Sequence, residues 1–344
     1  MSSYHTQKED EILDDIERVK SKLPSFCNRF FLGITHTTSA QTRLAYAYDL
    51  NMFFEFLRTE IDIFVGKSNV DIKFEHLKEI TTMHIEIFIN HVRNHEKAIM
   101  RKLSCLRSFF NYYYKRNELE QNIVTKIDMP KLTEKPIIRL DRDEVGDLID
   151  IVSFGDKLTK GQQKFHDINS LRDITILYFF LGTGIRVSEL VGLNIGDIDF
   201  ANKSFKVTRK GGNQVILYMP DELVEQLELY LGFNNTDNSK KFTISQSVLN
   251  QPLFKSIQNK RLGVRSVQNL VSKYAKLAVP LKNISPHKLR STFGTNLYRS
   301  TKDIYVVADV LGHKDVNTTK KHYAQLTDDI RRDAAQKVKI HKPN

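Results

Sequence analysis

The sequence predicts a mostly α-helical protein with a small antiparallel β element, arranged as two domains. Three observations lead there. At 344 residues and 40.0 kDa the chain is too long for one ordinary core, so two domains are the default. Apolar residues recur at helical spacing through most of the N-terminal third. Ser204 to Met219, S-F-K-V-T-R-K-G-G-N-Q-V-I-L-Y-M, alternates apolar and polar residues on both sides of a Lys-Gly-Gly-Asn turn, which is a hairpin signal.

Residues 8–23 read as a short amphipathic helix with Ile12, Ile16 and Val19 in line, ended by Pro24. A long helix starts at Ser39, with Leu44, Tyr48, Met52, Phe53, Phe54 and Leu57 as its apolar stripe. Thr81 to His95 and Lys97 to Arg116 repeat the pattern, giving an all-helical first domain. The stretch I-D-M-P-K-L-T-E-K-P-I-I-R-L, residues 127–140, has two prolines, mixed charge and no helical period, and reads as an extended linker. Beyond it, Asp143 to Val152, Leu171 to Leu181 and Arg186 to Leu193 look helical. After the hairpin, helices return at Asp221 to Leu231, Val264 to Ala278, Pro286 to Arg299, Ile304 to Leu311 and Thr318 to Ala324. The expected division is an N-terminal helical extension (1–37), a helical domain (38–126), the linker (127–140), a second domain of mixed α and β (141–327) and a C-terminal tail or helix (328–344).

With 52 Lys and Arg against 41 Asp and Glu the chain carries +11, a balance that favours a polyanionic partner. The charge is uneven, net +1 over residues 1–132 and net +10 over 133–344. No apolar run is long enough to cross a bilayer, and M-S-S-Y-H-T-Q-K-E-D-E lacks the apolar segment of a signal peptide, so a cytoplasmic protein with no membrane partner is expected. Cys27 and Cys105 have no metal-like spacing and read as buried apolar fillers in a reducing compartment.

Four short pieces carry the chemistry. In S-P-H-K-L-R, Ser285 to Arg290, the serine suits an N-cap and Pro286 the first helical position. His287 and Arg290 then share a face at a helix N-terminus, where free amides and the dipole favour an anion. In L-G-H-K-D-V-N-T-T-K-K-H-Y, Leu311 to Tyr323, a glycine closes one helix, His313 follows, and Asn317 can cap a helix carrying Tyr323. G-T-G-I-R-V-S-E-L, Gly182 to Leu190, sets Arg186 at a helix start with Glu189 one turn on. Lys210 sits in the hairpin turn R-K-G-G-N. Taken singly, each piece is also what a cap, an ion pair, a packed tyrosine or a solvated turn lysine would give.

Together and in this order, the pieces resemble the catalytic domain of the tyrosine site-specific recombinases, the phage integrase and Xer family. The similarity runs from about Ser39 to about Asp333. It implies Arg186, Lys210, His287, Arg290 and His313 around one DNA phosphate, with Tyr323 as nucleophile. The helix from Thr38, K-L-S-C-L-R-S-F-F at 102–110 and the P-K-L linker look like that family's core-binding, SAM-like domain, so the two domains would form a clamp. Ser291 departs from the histidine that many members carry, and the extension before Thr38 resembles the longer single-recombinase Xer proteins.

The chemistry these residues would support needs no cofactor, neither ATP nor Mg²⁺. Tyr323 would attack the scissile phosphate and hold the 3′ end as a phosphotyrosine. The two arginines would stabilise the phosphorane, Lys210 would protonate the leaving 5′ oxygen, His287 would assist proton transfer with Tyr323, and His313 would bond a phosphate oxygen. The expected partner is a double-stranded recombination site in the bacterial nucleoid. Arg43, Lys102 and Arg107, on the sides opposite their helices' apolar stripes, are candidate phosphate contacts, and Arg265 and Gln268 candidate base readers; an ordinary exposed helix residue explains each equally well. The resemblance implies four subunits on two DNA sites, linked through the C-terminal helix, which could equally pack on its own domain, with accessory DNA-bending or directionality proteins as further partners. A type IB topoisomerase and a non-catalytic sequence-specific DNA-binding protein are the rival readings. Chromosome dimer resolution and mobile-element integration or excision would use the same site.

Overall fold

Aromatic side chains at helical spacing build the N-terminal half. The computed structural model describes residues 4–69, 71–92, 95–131, 138–209, 212–233, 246–313 and 315–316. The chain divides into two units, Met1–Lys135 and Pro136–Asn344. The first holds α1 (Tyr4–Lys20), α2 (Cys27–Gly33), α3 (Ala40–Glu60), α4 (Thr82–His91) and α5 (Glu96–Tyr114), with short 3₁₀ turns at Phe74–Glu79 and Ile123–Lys126. Ser39 caps α3 by accepting from the Thr42 amide at 3.3 Å, and Thr81 caps α4 in a reciprocal box with His84.

Phe109 on α5 is the hub of this core. Its ring meets Phe30, Phe54, Phe110 and Tyr113 edge-on at 5.2 to 6.2 Å between centroids, and such pairs each add about 0.5–1.5 kcal/mol beyond the area they bury. Cys27 and Cys105 are buried there as free thiols, and burial pushes both well above the usual thiol range. Val19 of α1 joins this aromatic cluster, while Ile16 packs with Ala40 and Leu44 of α3. Tyr48 and Met52, expected in the α3 stripe, are exposed instead; Leu44, Ala47, Leu50, Phe54 and Leu57 form the inner face at 3.6-residue spacing.

The second unit is arranged around α7 (Lys160–Thr183), against which α6 (Arg142–Phe154) packs. Helix α7 begins eleven residues before the expected Leu171, because its polar first half, K-G-Q-Q-K-F-H-D-I-N-S, shows no apolar stripe; Thr159 and Gln162 form its capping box. Then come α8 (Val187–Gly192) and a sheet of β1 (Ile198–Asp199), β2 (Ser204–Thr208) and β3 (Gln214–Tyr218) in the order β1-β2-β3, all antiparallel. The register pairs Phe205 with Leu217 and Val207 with Val215, which turns Phe205 inward onto Phe179 of α7. The chain continues through α9 (Asp221–Leu231), α10 (Gln246–Leu249), α11 (Val264–Ala278), α12 (Pro286–Thr301) and α13 (Ile304–Leu311). Helices α9 and α12 also pack on α7. On α7 the buried Asp173 accepts from the Tyr274 hydroxyl at 2.9 Å and pairs with Arg172 at 2.7 Å. The linker residues that are described, 127–131 and 138–140, have no helix or strand, and the expected helix at Thr318 to Ala324 lies outside the described residues.

Candidate active site at the end of helix α13

An α-helix leaves its last carbonyls without intrahelical partners. Helix α13 resolves this in two ways. Gly312, in the left-handed region at φ 61°, lets the chain fold back so that the Gly312 amide donates to Asp309 O at 2.8 Å and the His313 amide to Ala308 O at 2.9 Å. The next three carbonyls each accept from an arginine. Arg209 donates to Val310 O at 3.0 Å, Arg290 donates to Leu311 O, and Arg186 donates to Gly312 O at 2.9 Å. Three guanidinium groups from three separate segments thus meet at the negative end of one helix.

Each arginine is held by its own element. Arg186 is the N-cap of α8: its amide and guanidinium both donate to the Glu189 carboxylate, at 3.0 and 2.7 Å, and Glu189 is buried. Arg290 lies on α12 at 6% exposure, and its other arm donates to Gly184 O, the residue that ends α7. Gly184 sits at φ 61° with Phe293 of α12 so close that a Cβ would fall 2.3 Å from the ring, so only glycine fits. His287, three residues before Arg290 on α12, is exposed, and His313 follows the three carbonyls directly. Ser285 is the N-cap of α12 but its hydroxyl caps nothing, which corrects that expectation; Pro286 at the first helical position fixes the start. Lys210 and Tyr323, with Asn317, lie outside the described residues.

The structure therefore brings Arg186, Arg290 and His313 to one place from positions nearly 130 residues apart. Reasoning from the sequence missed Arg209, whose signal was only an arginine beside the turn lysine.

The five candidate DNA contacts fare differently. Arg43 and Lys102 were expected opposite their apolar stripes, and this is corrected: both are buried, at 8% and 3% exposure. Arg43 donates to Thr35 O at 2.9 Å and Thr38 O at 2.6 Å, stapling the turn before α3. Lys102 pairs with the buried Asp49 at 3.2 Å, beside Arg101 at 2.6 Å. Burial outweighs both cations and holds the Asp49 carboxyl above its usual range. Arg107 is half-buried and donates to Val124 O and Ile127 O, fastening the start of the linker to α5. Arg265 is exposed and Gln268 half-exposed in the first two turns of α11. Among the described residues no group of three His, Cys, Asp or Glu side chains is placed to hold a metal ion, and no helix is long and apolar enough to cross a membrane.

Residues 139–329 match the phage integrase family, and residues 28–117 match the phage integrase N-terminal SAM-like domain. The tyrosine recombinase XerC of Caldanaerobacter subterraneus subsp. tengcongensis is 31% identical over 332 residues, covering 92% of this chain and 86% of that protein. The tyrosine recombinase XerC of Syntrophus aciditrophicus is 30% identical over 299 residues, covering 86% and 90%. Among solved structures, the Tn1549 transposon integrase in complex with transposon right end DNA has a TM-score of 0.61 at 19% identity, over 91% of this chain and 98% of that one. A lambda integrase tetramer bound to a Holliday junction has a TM-score of 0.61 at 16% identity, over 87% and 76%. At these identities the structural likeness establishes the fold, an N-terminal helical domain followed by an α+β catalytic domain. The chain belongs to the phage integrase family and acts as a tyrosine-type site-specific recombinase that cleaves and rejoins DNA strands.

Proposed function

We propose that the scissile DNA phosphate is held beside the end of α13 by Arg186 and Arg290, with Tyr323 as the attacking group. The observation that carries this is the placement of the two guanidinium groups on adjacent carbonyls, Gly312 and Leu311, immediately before His313. Tyr323 Oη forms a bond to phosphorus while the bond to the 5′ oxygen breaks, so the 3′ end becomes a phosphotyrosine and a 5′ hydroxyl leaves. Lys210 gives that oxygen its proton, His287 assists proton transfer at the tyrosine, and His313 bonds a phosphate oxygen. The arginines donate in pairs to the charge that builds on the phosphorane.

Arg265 and Gln268 face outward at the start of α11 and are the side chains we assign to DNA contact in the second unit. A tetramer on two recombination sites is the proposed working assembly, in keeping with the lambda integrase tetramer that shares the fold. The test is a nicked substrate that traps the covalent intermediate. The unaltered protein gives a protein–DNA adduct stable to denaturation, and Tyr323→Phe gives none; an adduct formed by Tyr323→Phe would remove this tyrosine from the role.

A further inference from the structure

Arg209 frames the hairpin turn between β2 and β3. Its amide donates to Asn213 O at 2.8 Å, and its carbonyl accepts from the Gly212 amide at 3.0 Å. Its side chain leaves the hairpin and reaches 101 positions along the sequence to Val310 O, at 3.0 Å from Nη2. The guanidinium lies against the Cα of Gly312, where a Cβ would stand 2.2 Å from Nη1 and 2.4 Å from Cζ. Nε is buried with no hydrogen-bond partner among the described residues. A hairpin arginine turned to water would keep that donor solvated, so the contact with the helix end is what holds the side chain here.

We propose that Arg209 is a positioning residue for strand cleavage, tying the hairpin turn to the last turn of α13 so that Lys210 is delivered to the place where Arg186, Arg290 and His313 meet. The proposal rests on the reading of Lys210 as the acid for the leaving oxygen. Lys210 directly follows Arg209 in the sequence, so a constraint on Arg209 bears on the lysine through the peptide bond they share. As Tyr323 Oη bonds to phosphorus and the bond to the 5′ oxygen breaks, that oxygen takes a proton from the Lys210 ammonium. Without Arg209 the proton arrives less well, while charge stabilisation by Arg186 and Arg290 stays in place.

The two effects separate when the bridging 5′ oxygen of a nicked substrate is replaced by sulfur, because a thiolate leaves without an acid. Full-length Arg209→Gln is expected to cleave the oxygen substrate about 10²-fold more slowly than the unaltered protein, and the sulfur substrate within a few-fold of it, both read at saturating DNA. Arg209→Lys, whose ammonium can still reach the Val310 carbonyl, restores part of the oxygen rate; should Arg209→Gln fail to fold, the ratio of the two rates is read from Arg209→Lys instead. Lys210→Ala serves as the reference and shows the same rescue by sulfur. Equal slowing of Arg209→Gln on both substrates, or full rates on both, overturns the role of Arg209 while Lys210→Ala keeps its rescue. Loss of rescue in Lys210→Ala itself overturns the acid reading, and the proposal with it.

Discussion

In the N-terminal unit Lys102 and Arg101 meet a carboxylate, Asp49; in the C-terminal unit Arg209, Arg290 and Arg186 meet the peptide carbonyls of Val310, Leu311 and Gly312. Both arrangements satisfy cationic donors, Lys102 and Arg290 away from water and Arg101 and Arg186 partly exposed, but they leave different fields behind. A carboxylate cancels a full charge. A helix end offers roughly half a charge in total, and although Glu189 offsets Arg186, three guanidinium groups remain gathered at one spot. The first arrangement is therefore a staple within a core, and the second keeps an attraction for an incoming anion such as a DNA phosphate. Basic side chains acquire different work from the group that accepts their hydrogen bonds.

The largest effect expected from this contrast is at Arg290. Arg290→Ala should slow covalent-adduct formation by on the order of 10²–10³-fold, and lower the melting temperature as well, since it strips a donor from Gly184 O and Leu311 O. A variant that loses stability but cleaves at the full rate per folded molecule would erase the contrast. Next is Lys102→Ala, expected to cost about 1–3 kcal/mol of stability by leaving Asp49 with Arg101 alone, with the salt dependence of DNA binding unchanged. The pH dependence of urea unfolding sharpens this case. The folded Asp49 carboxyl is raised above its ordinary 3.8, so its contribution is fully present below that value and is lost as pH rises through the raised one; removing Lys102 moves the loss further up in pH. The smallest effect is at Arg265, exposed on α11. Arg265→Ala should leave the melting temperature alone and flatten the slope of log affinity against log salt by about one. An unchanged slope would take Arg265 out of the DNA contact.

Much of this was legible in advance. Helices α9, α11 and α13 have the limits their apolar periodicity predicts, and the Lys-Gly-Gly-Asn turn marks the hairpin. The end of α13 was legible through Gly312, read as the glycine that closes a helix, and the helix does end there in the left-handed region. Side-chain direction was not. Arg43 and Lys102 fall outside an apolar stripe by spacing, yet their stems lie buried and their charged ends find Thr35, Thr38 and Asp49 from other segments, a pairing that periodicity within one helix does not encode. Arg209 escaped for the same reason, its acceptor being a backbone atom of a helix far along the chain. The polar first half of α7 was lost because capping by Thr159 and Gln162, rather than an apolar face, starts that helix.

The end of α13 also constrains how the protein can change. Successive residues of a helix point about 100° apart, so inserting or deleting one residue within Ile304–Leu311 would swing the three terminal carbonyls away from their arginines in a single step. Length variation among relatives should therefore be refused within this helix.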